Sequence, residues 1–174
     1  MMQTKVLQIV AAVAAMAVMA GCSQNQVLAT LEASVAATET VVEALAVSGQ
    51  IPPLAASAIE HAIAQLPAAY KQTTAELAST DSNALKAVKI AGYFAGTLTA
   101  LQGVPAPAKV YATAIVKSIE AFLTKLAEVS GQGAHAEPRV QAGSKFDPKE
   151  LHAIDTRAEA LNQRLASLKT AQAK

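Results

Sequence analysis

Cys22 is the one cysteine among 174 residues, and it follows the small residues Ala20 and Gly21 directly. A lone thiol can be acylated or oxidised, but it closes no internal disulfide and forms no cysteine cluster for zinc or iron-sulfur. The three histidines are no better placed for a metal. A metal-binding helix face needs His or carboxylate partners three or four residues apart, and His61 has none at 57, 58, 64 or 65. His152 and Asp155 do have the i, i+3 spacing, but a single such pair is more simply a helix-surface contact, and His135 stands by itself in a Gly-containing stretch. Glu39 and Glu43 lie one helical turn apart, as acids on a solvated face do, and are more simply that than a general acid-base pair. The chain has no GxSxG elbow, phosphate-binding P-loop, HExxH or CxxC. Catalysis would need side chains that meet only in three dimensions, so the sequence reads as that of a non-enzyme with no metal and no cofactor.

The residues ahead of Cys22 explain why a thiol stands there. Lys5 is followed by an apolar run from Val6 to Met19 and then by Ala20-Gly21, the plan of a secretory leader over residues 1–21. A run of about 14 residues is too short for a transmembrane helix, which takes about 20. The end of the run, Met19-Ala20-Gly21-Cys22, resembles the lipobox of bacterial lipoproteins. Met stands at the first position, where that family usually has Leu. The resemblance implies cleavage before Cys22, a diacylglycerol on its sulfur and an acylated amino group, an anchor that is effectively permanent because each buried CH2 contributes about 0.8 kcal/mol. It also implies the cell envelope as location. Ser23 in place of the Asp that retains such proteins at the inner membrane points to the outer membrane if the source is Gram-negative.

Behind this end must come elements that the lipid would carry. Apolar residues are 52% of the chain and aromatics 3%, so its hydrophobicity is mostly Ala, Val, Leu and Ile, which favours closely packed helices. Once Lys5 leaves with the leader, thirteen basic residues face thirteen acidic ones, and nothing argues for a nucleic-acid partner. After a tether at 22–26, Leu28, Leu31, Val35, Thr38, Val42 and Leu45 step by three and four, predicting a first helix over about 26–48. Gly49 and Pro52-Pro53 turn the chain. Ile59, Ile63, Leu66, Tyr70, Thr73 and Leu77 keep the stepping through Pro67, predicting one helix over 53–79 with a kink. Capping residues at 79–83 open a third helix to about 101, apolar around much of its circumference and therefore expected near the centre. Its Gly92 and Gly96 are expected to admit a neighbouring helix closely. Gly103, Pro105 and Pro107 make a second turn before a fourth helix over 108–130, with Tyr111, Ile115, Ile119, Phe122 and Leu126 in one stripe. Tyr70, Tyr93 and Tyr111 are expected at core edges, or else around an apolar pocket between helices.

The repeated helix–turn–helix layout predicts an all-α fold: a four-helix body (27–130) of two αα-hairpins, a flexible linker (131–147) and a C-terminal amphipathic helix (148–174). Charge suggests that an acidic hairpin (Glu32, Glu39, Glu43, Glu60 and Glu76 against Lys71) faces a mildly basic one (Lys86, Lys89, Lys109, Lys117 and Lys125 against Asp81, Glu120 and Glu128). Asp147, Pro148 and Glu150 can open the last helix, whose Leu151, Ile154, Ala158, Leu161, Leu165 and Leu168 form a narrow seam. That seam wants a partner: the chain's own bundle, a second copy, or another envelope protein. The stretch Asn162-Gln163-Arg164-Leu165, with Thr170 and a final Lys174, resembles the tail of the murein lipoprotein of enteric bacteria, although Ala171-Gln172-Ala173 replace its usual aromatic and basic residues. The resemblance implies a lipid end at Cys22 and a peptidoglycan end at the Lys174 amine. The expectation is a lipid-anchored envelope protein with a structural or interaction role. The second reading is a helical carrier or inhibitor-like module for an apolar ligand or partner helix. A carrier demands a cavity between the middle helices, and a tether demands a filled core with a free terminal helix.

Overall fold

A computed structural model describes residues 24–47, 51–106, 108–130 and 146–172. These form six α-helices with no strand among the described residues: α1 (Gln24–Ala46), α2 (Pro53–Ile63), α3 (Leu66–Ala78), α4 (Asn83–Gln102), α5 (Lys109–Val129) and α6 (Pro148–Gln172). The fold is all-α, as the periodicity predicts. The expected linker lies almost wholly outside the described residues. α1 starts two residues earlier than predicted, inside the expected tether.

Local chemistry sets the ends. Pro52 and Pro53 open α2, where a missing N–H is harmless, and the Pro52 carbonyl accepts the Ala56 N–H at 2.8 Å. The Ser82 hydroxyl caps α4 by accepting the Leu85 N–H at 3.3 Å. Asp147 caps α6: its carboxylate accepts the Lys149 N–H at 2.8 Å and its carbonyl the Leu151 N–H at 3.1 Å. The predicted single helix over 53–79 is instead two helices separated by a turn at Ala64 and Gln65. Pro67 cannot donate to the Ile63 carbonyl and its ring crowds that carbonyl, so α2 ends at Ile63 and α3 restarts with Pro67 in its first turn. The apolar stripe crosses the break intact. Ile59, Ile63, Leu66, Tyr70, Thr73 and Leu77 are all buried.

The packing is a ring. α1 packs on α5, α5 on α4, α4 on α3 and α2, α3 on α6, and α6 on α1. α4 packs on α5, and α6 packs on both α1 and α3, which also meet directly where Tyr70 reaches Ser34 and Thr38. On α6, Leu151, Ile154, Ala158, Leu161 and Leu165 are buried, with Phe146 buried just ahead of the helix. The seam of the last helix therefore finds its partner in the chain's own bundle.

Ion pairs show how α6 runs. Arg157 forks onto Glu39, its Nε and Nη2 donating to the two carboxylate oxygens at 3.1 and 2.7 Å, and Arg164 reaches Glu43 at 3.1 Å. Residue numbers rise together along these pairs, so α6 is parallel to α1. On the other flank Lys71 donates to Glu159 at 3.0 Å and Thr74 to Asp155 at 3.4 Å, which sets α6 antiparallel to α3. Glu39 and Glu43 of α1 thus meet cations of α6, not lysines of α4 and α5 as charge counting suggests. Glu76 with Lys89 is an acid–base pair that does cross between the expected hairpins.

Aromatic rings fill the middle. Tyr70 and Phe94 have ring centroids 5.6 Å apart, and Phe94 meets Phe122 edge-on at 6.1 Å. α4 is less central than predicted. Ile90, Phe94 and Leu101 are buried, but Leu85 and Val88 are 45% and 60% exposed. Gly92 and Gly96 also face outward: a methyl group at Gly92 would meet no atom within 4 Å, and at Gly96 it would meet Gln65 Oε1 at 3.8 Å. Among the described residues the expected close helix approach does not occur there, although glycine in a helix interior is about 1 kcal/mol less favourable than alanine.

Because α6 closes the ring through a buried stripe, Ile154→Ala is expected to lower stability by about 2–4 kcal/mol in denaturant unfolding. Arg164→Ala, at the solvated rim, is expected to cost under about 1 kcal/mol. Equal losses from the two would show that α6 is held by charge and not by its apolar stripe.

Candidate functional site

The residues singled out by sequence do not gather at one place. Cys22, His135 and Lys174 lie outside the described residues. His61 and His152 are exposed on α2 and α6. Asp155 accepts from the Thr74 hydroxyl, and Glu39 and Glu43 are occupied by arginines of α6. Among the described residues no group of three or more His, Cys, Asp or Glu could hold a metal ion. No helix among them is long and apolar enough to cross a membrane.

Polar side chains converge at two places. The first is inside the core. Tyr70, expected at an edge, is fully buried, and its hydroxyl lies 2.9 Å from both the Ser34 carbonyl and the Thr38 hydroxyl. Thr38 also donates to the Ser34 carbonyl, at 2.9 Å, so two hydroxyl hydrogens serve three contacts, two of them between α1 and α3 and one within α1. Burial pushes the Tyr70 hydroxyl up to about 12 against the hydrogen bonds that would lower it. Tyr93 and Tyr111 are half-buried, at the edge positions the sequence suggests. The ring stack stands where a carrier would need room. α6, docked on α1 and α3, lacks the freedom that a tether demands.

The second convergence, absent from the sequence reading, lies at the corner between α3 and α4. Lys89 meets Glu76 at 3.3 Å and pairs with Asp81, while the Tyr93 hydroxyl donates to Glu76 at 3.4 Å. Ser79 donates to Glu76 at 3.3 Å. Lys86, only 6% exposed, donates to the Leu77 carbonyl at 2.9 Å and so caps the end of α3. The Lys89 hydrogen bond holds the Asp81 carboxyl below its ordinary range, and Asp81 in turn raises Lys89. Burial pushes Lys86 down, and burial, then Glu76, pushes Tyr93 up. The two carboxylates share Lys89 as their cation. The chemistry on display is an electrostatic lock on a helix corner. The spacing Lys86, Lys89, Tyr93 on one face of α4 was the signal that could have located it.

Both clusters give pH signatures. Tyr70 is raised above its ordinary 10.0, so the fold favours the neutral phenol, and that stabilisation is full below pH 10 and lost as pH rises toward 12. Tyr70→Phe is expected to cost about 1 kcal/mol at neutral pH and to flatten the alkaline loss, read as denaturant midpoint against pH. Asp81 is lowered below 3.8, so its contribution is present above that value and disappears as pH falls further. Asp81→Asn should shallow the acid limb, and an unchanged limb would remove the lock. No protein-family model, no curated protein and no solved structure matches this chain.

Proposed function

We propose that the chain is a lipid-anchored cell-envelope protein, held through acylated Cys22, whose helical body has a structural or protein-interaction role. The observation that carries the geometric side of this reading is the parallel course of α1 and α6. α1 begins at Gln24, two residues after Cys22. A bundle that starts so close to its anchor keeps the start of α1 at the lipid end. Its 23 residues then extend for about 34 Å at 1.5 Å per residue. α6, running alongside in the same direction, delivers its C-terminal end beyond the far end of α1. The start of α1 and the end of α6 therefore lie at opposite ends of the body, which the reading assigns as a lipid end and a wall-facing end. Peptidoglycan attachment at Lys174 extends the same reading.

In this arrangement the membrane is engaged by lipid alone, and a partner in the wall or another envelope protein meets the distal end of the bundle. Its reach is that of the docked body. A tail on an extended linker would reach farther but would have to strip the Leu151–Leu165 stripe from α1 and α3.

Cys22→Ser is expected to stop processing ahead of residue 22 and to shift the mature protein out of the lipid-modified membrane fraction. Mass analysis of protein from its native envelope, before and after muramidase, reads the acyl chains on Cys22 and any muropeptide on Lys174. Unmodified Cys22 in the mature protein, or equal processing of the serine variant, would end the anchor reading. A bare Lys174 would end the wall attachment and leave the anchor standing.

A further inference from the structure

We infer that α6 is an exchangeable helix: in the envelope a fraction of the chains place α6 in the α1–α3 groove of a second copy and receive that copy's α6 in return. The groove itself fixes what can fill it. Its α1 wall presents Glu39 and Glu43 to Arg157 and Arg164, and its α3 wall presents Lys71 and Thr74 to Glu159 and Asp155. An occupant needs cations along one flank, acids along the other, and the stripe Leu151, Ile154, Ala158, Leu161 and Leu165 between them. A second copy's α6 meets all three demands in one register, with the same contacts as the self-docked helix. A foreign helix would have to match opposite charge patterns on two flanks at once, which discriminates against it.

The way α6 is joined to the body supplies the independent reason. Connections between the other helices take two to six residues, whereas eighteen, residues 130–147, separate α5 from α6. α3 with α4, and α4 with α5, are packed pairs joined by short turns, so the chain reverses direction at each. α5 therefore finishes at the end of the body where α1 and α6 begin. To reach its own groove the chain has only to pass α1, a distance of about 20 Å at ordinary helix spacings. Eighteen residues can span about 60 Å. The covalent path thus has length to spare for the groove of an adjacent body.

Direction favours a copy held on the same surface. This step rests on the proposed anchor at Cys22, which sets the start of α1 at the membrane in every copy. Neighbouring copies then share one polarity, and a neighbour's α6 enters the groove parallel to α1, as it lies within the chain, without either body inverting. A two-fold axis along the membrane normal relates the pair and keeps both anchors in one leaflet. Because the self-docked and exchanged forms contain the same contacts, their ratio is set by concentration. Neighbours compete against a chain's own α6, whose effective concentration is on the order of millimolar. Dilute purified protein is therefore self-docked, and exchange belongs to crowded, anchored copies.

The test uses full chains in their native envelope. Two variants, Glu43→Cys and Arg164→Cys, carrying different epitope tags, are produced together and treated with a short bismaleimide. Neither chain has a second free thiol of its own, since the proposed acylation occupies Cys22. A link from one tag to the other therefore reports α6 of one copy in the groove of its neighbour. The mixed product is expected several-fold above that of Lys117→Cys with Arg164→Cys, because Lys117 is exposed on α5, which does not wall the groove. The double variant Glu43→Cys/Arg164→Cys should link within one chain, showing that the two positions are in reach. A mixed yield no higher than the Lys117 control's, or a double variant that forms no link at all, overturns exchange and leaves the anchor standing. A linked dimer of the parent protein, whose one thiol is Cys22, refutes the anchor and with it the exchange that depends on it.

Discussion

Everything in this fold depends on α6 burying its apolar stripe against α1 and α3. With aromatics at 3% of the residues, the chain has few large side chains with which to span gaps between helices. Its helices must therefore surround one another on all sides. α1, α5, α4 and α3 leave one side of the core open, and the stripe from Leu151 to Leu165 closes it. The Tyr70 hydroxyl is sealed away from water, which makes its bonds to Ser34 and Thr38 obligatory instead of optional. Most of the buried Ser and Thr hydroxyls find partners within their own helices, Thr97 being an exception among the described residues. The paired ones donate to carbonyls one turn back, as Thr73 does to Ala69 at 2.8 Å and Ser118 to Ile115 at 2.8 Å.

What could be read from sequence was whatever is decided locally. The three-four stripes of α1, α3 and α6 were legible because helical periodicity puts those residues on one face whatever lies opposite. The caps at Ser82 and Asp147 were legible for the same reason. Pro67 was read as a kink because the stripe ran through it. The stripe reports only which side is buried, and both a kink and a break keep that side buried. The misreading of α4 has the opposite origin. Leu85 and Val88 are apolar, but whether they are covered depends on how many neighbours a ring of helices supplies, and no periodicity encodes that number. The chemistry proposed for Cys22 and Lys174 rests on short flanking sequences and not on the folded body.

The clusters that could have hosted chemistry also divide along this line. Lys86, Lys89 and Tyr93 share a face by spacing alone, but their significance comes from Glu76 on the preceding helix and Asp81 in the turn, which only folding brings near. Once assembled, the corner is saturated: Lys89 serves two carboxylates and Lys86 serves a helix end. A corner so occupied stabilises the α3–α4 junction through several partners at once, where single exposed pairs would contribute about 0–1 kcal/mol each.

Charge has a second task, which is to choose where α6 stops as it slides along α1. The stripe is nearly repetitive: displaced by seven residues, Leu151, Ile154, Ala158 and Leu161 would stand where Ala158, Leu161, Leu165 and Leu168 stand now, still apolar. Burial alone therefore discriminates weakly between registers. The ionic residues break the degeneracy, because Glu150, Arg157 and Arg164 repeat with the same seven-residue period but not the same sign. Sliding one way would carry Arg157 to Glu43 and bring Glu150 toward Glu39, replacing an attraction with a repulsion. Sliding the other way would bring Arg164 to Glu39 and leave Glu43 facing Ala171. The observed register is the one that gives both acids a cation, with the Arg157 fork on Glu39 at its more protected position. Pairs too exposed to add much stability are in this way sufficient to fix position. The position of α6 along α1 follows from the register they select.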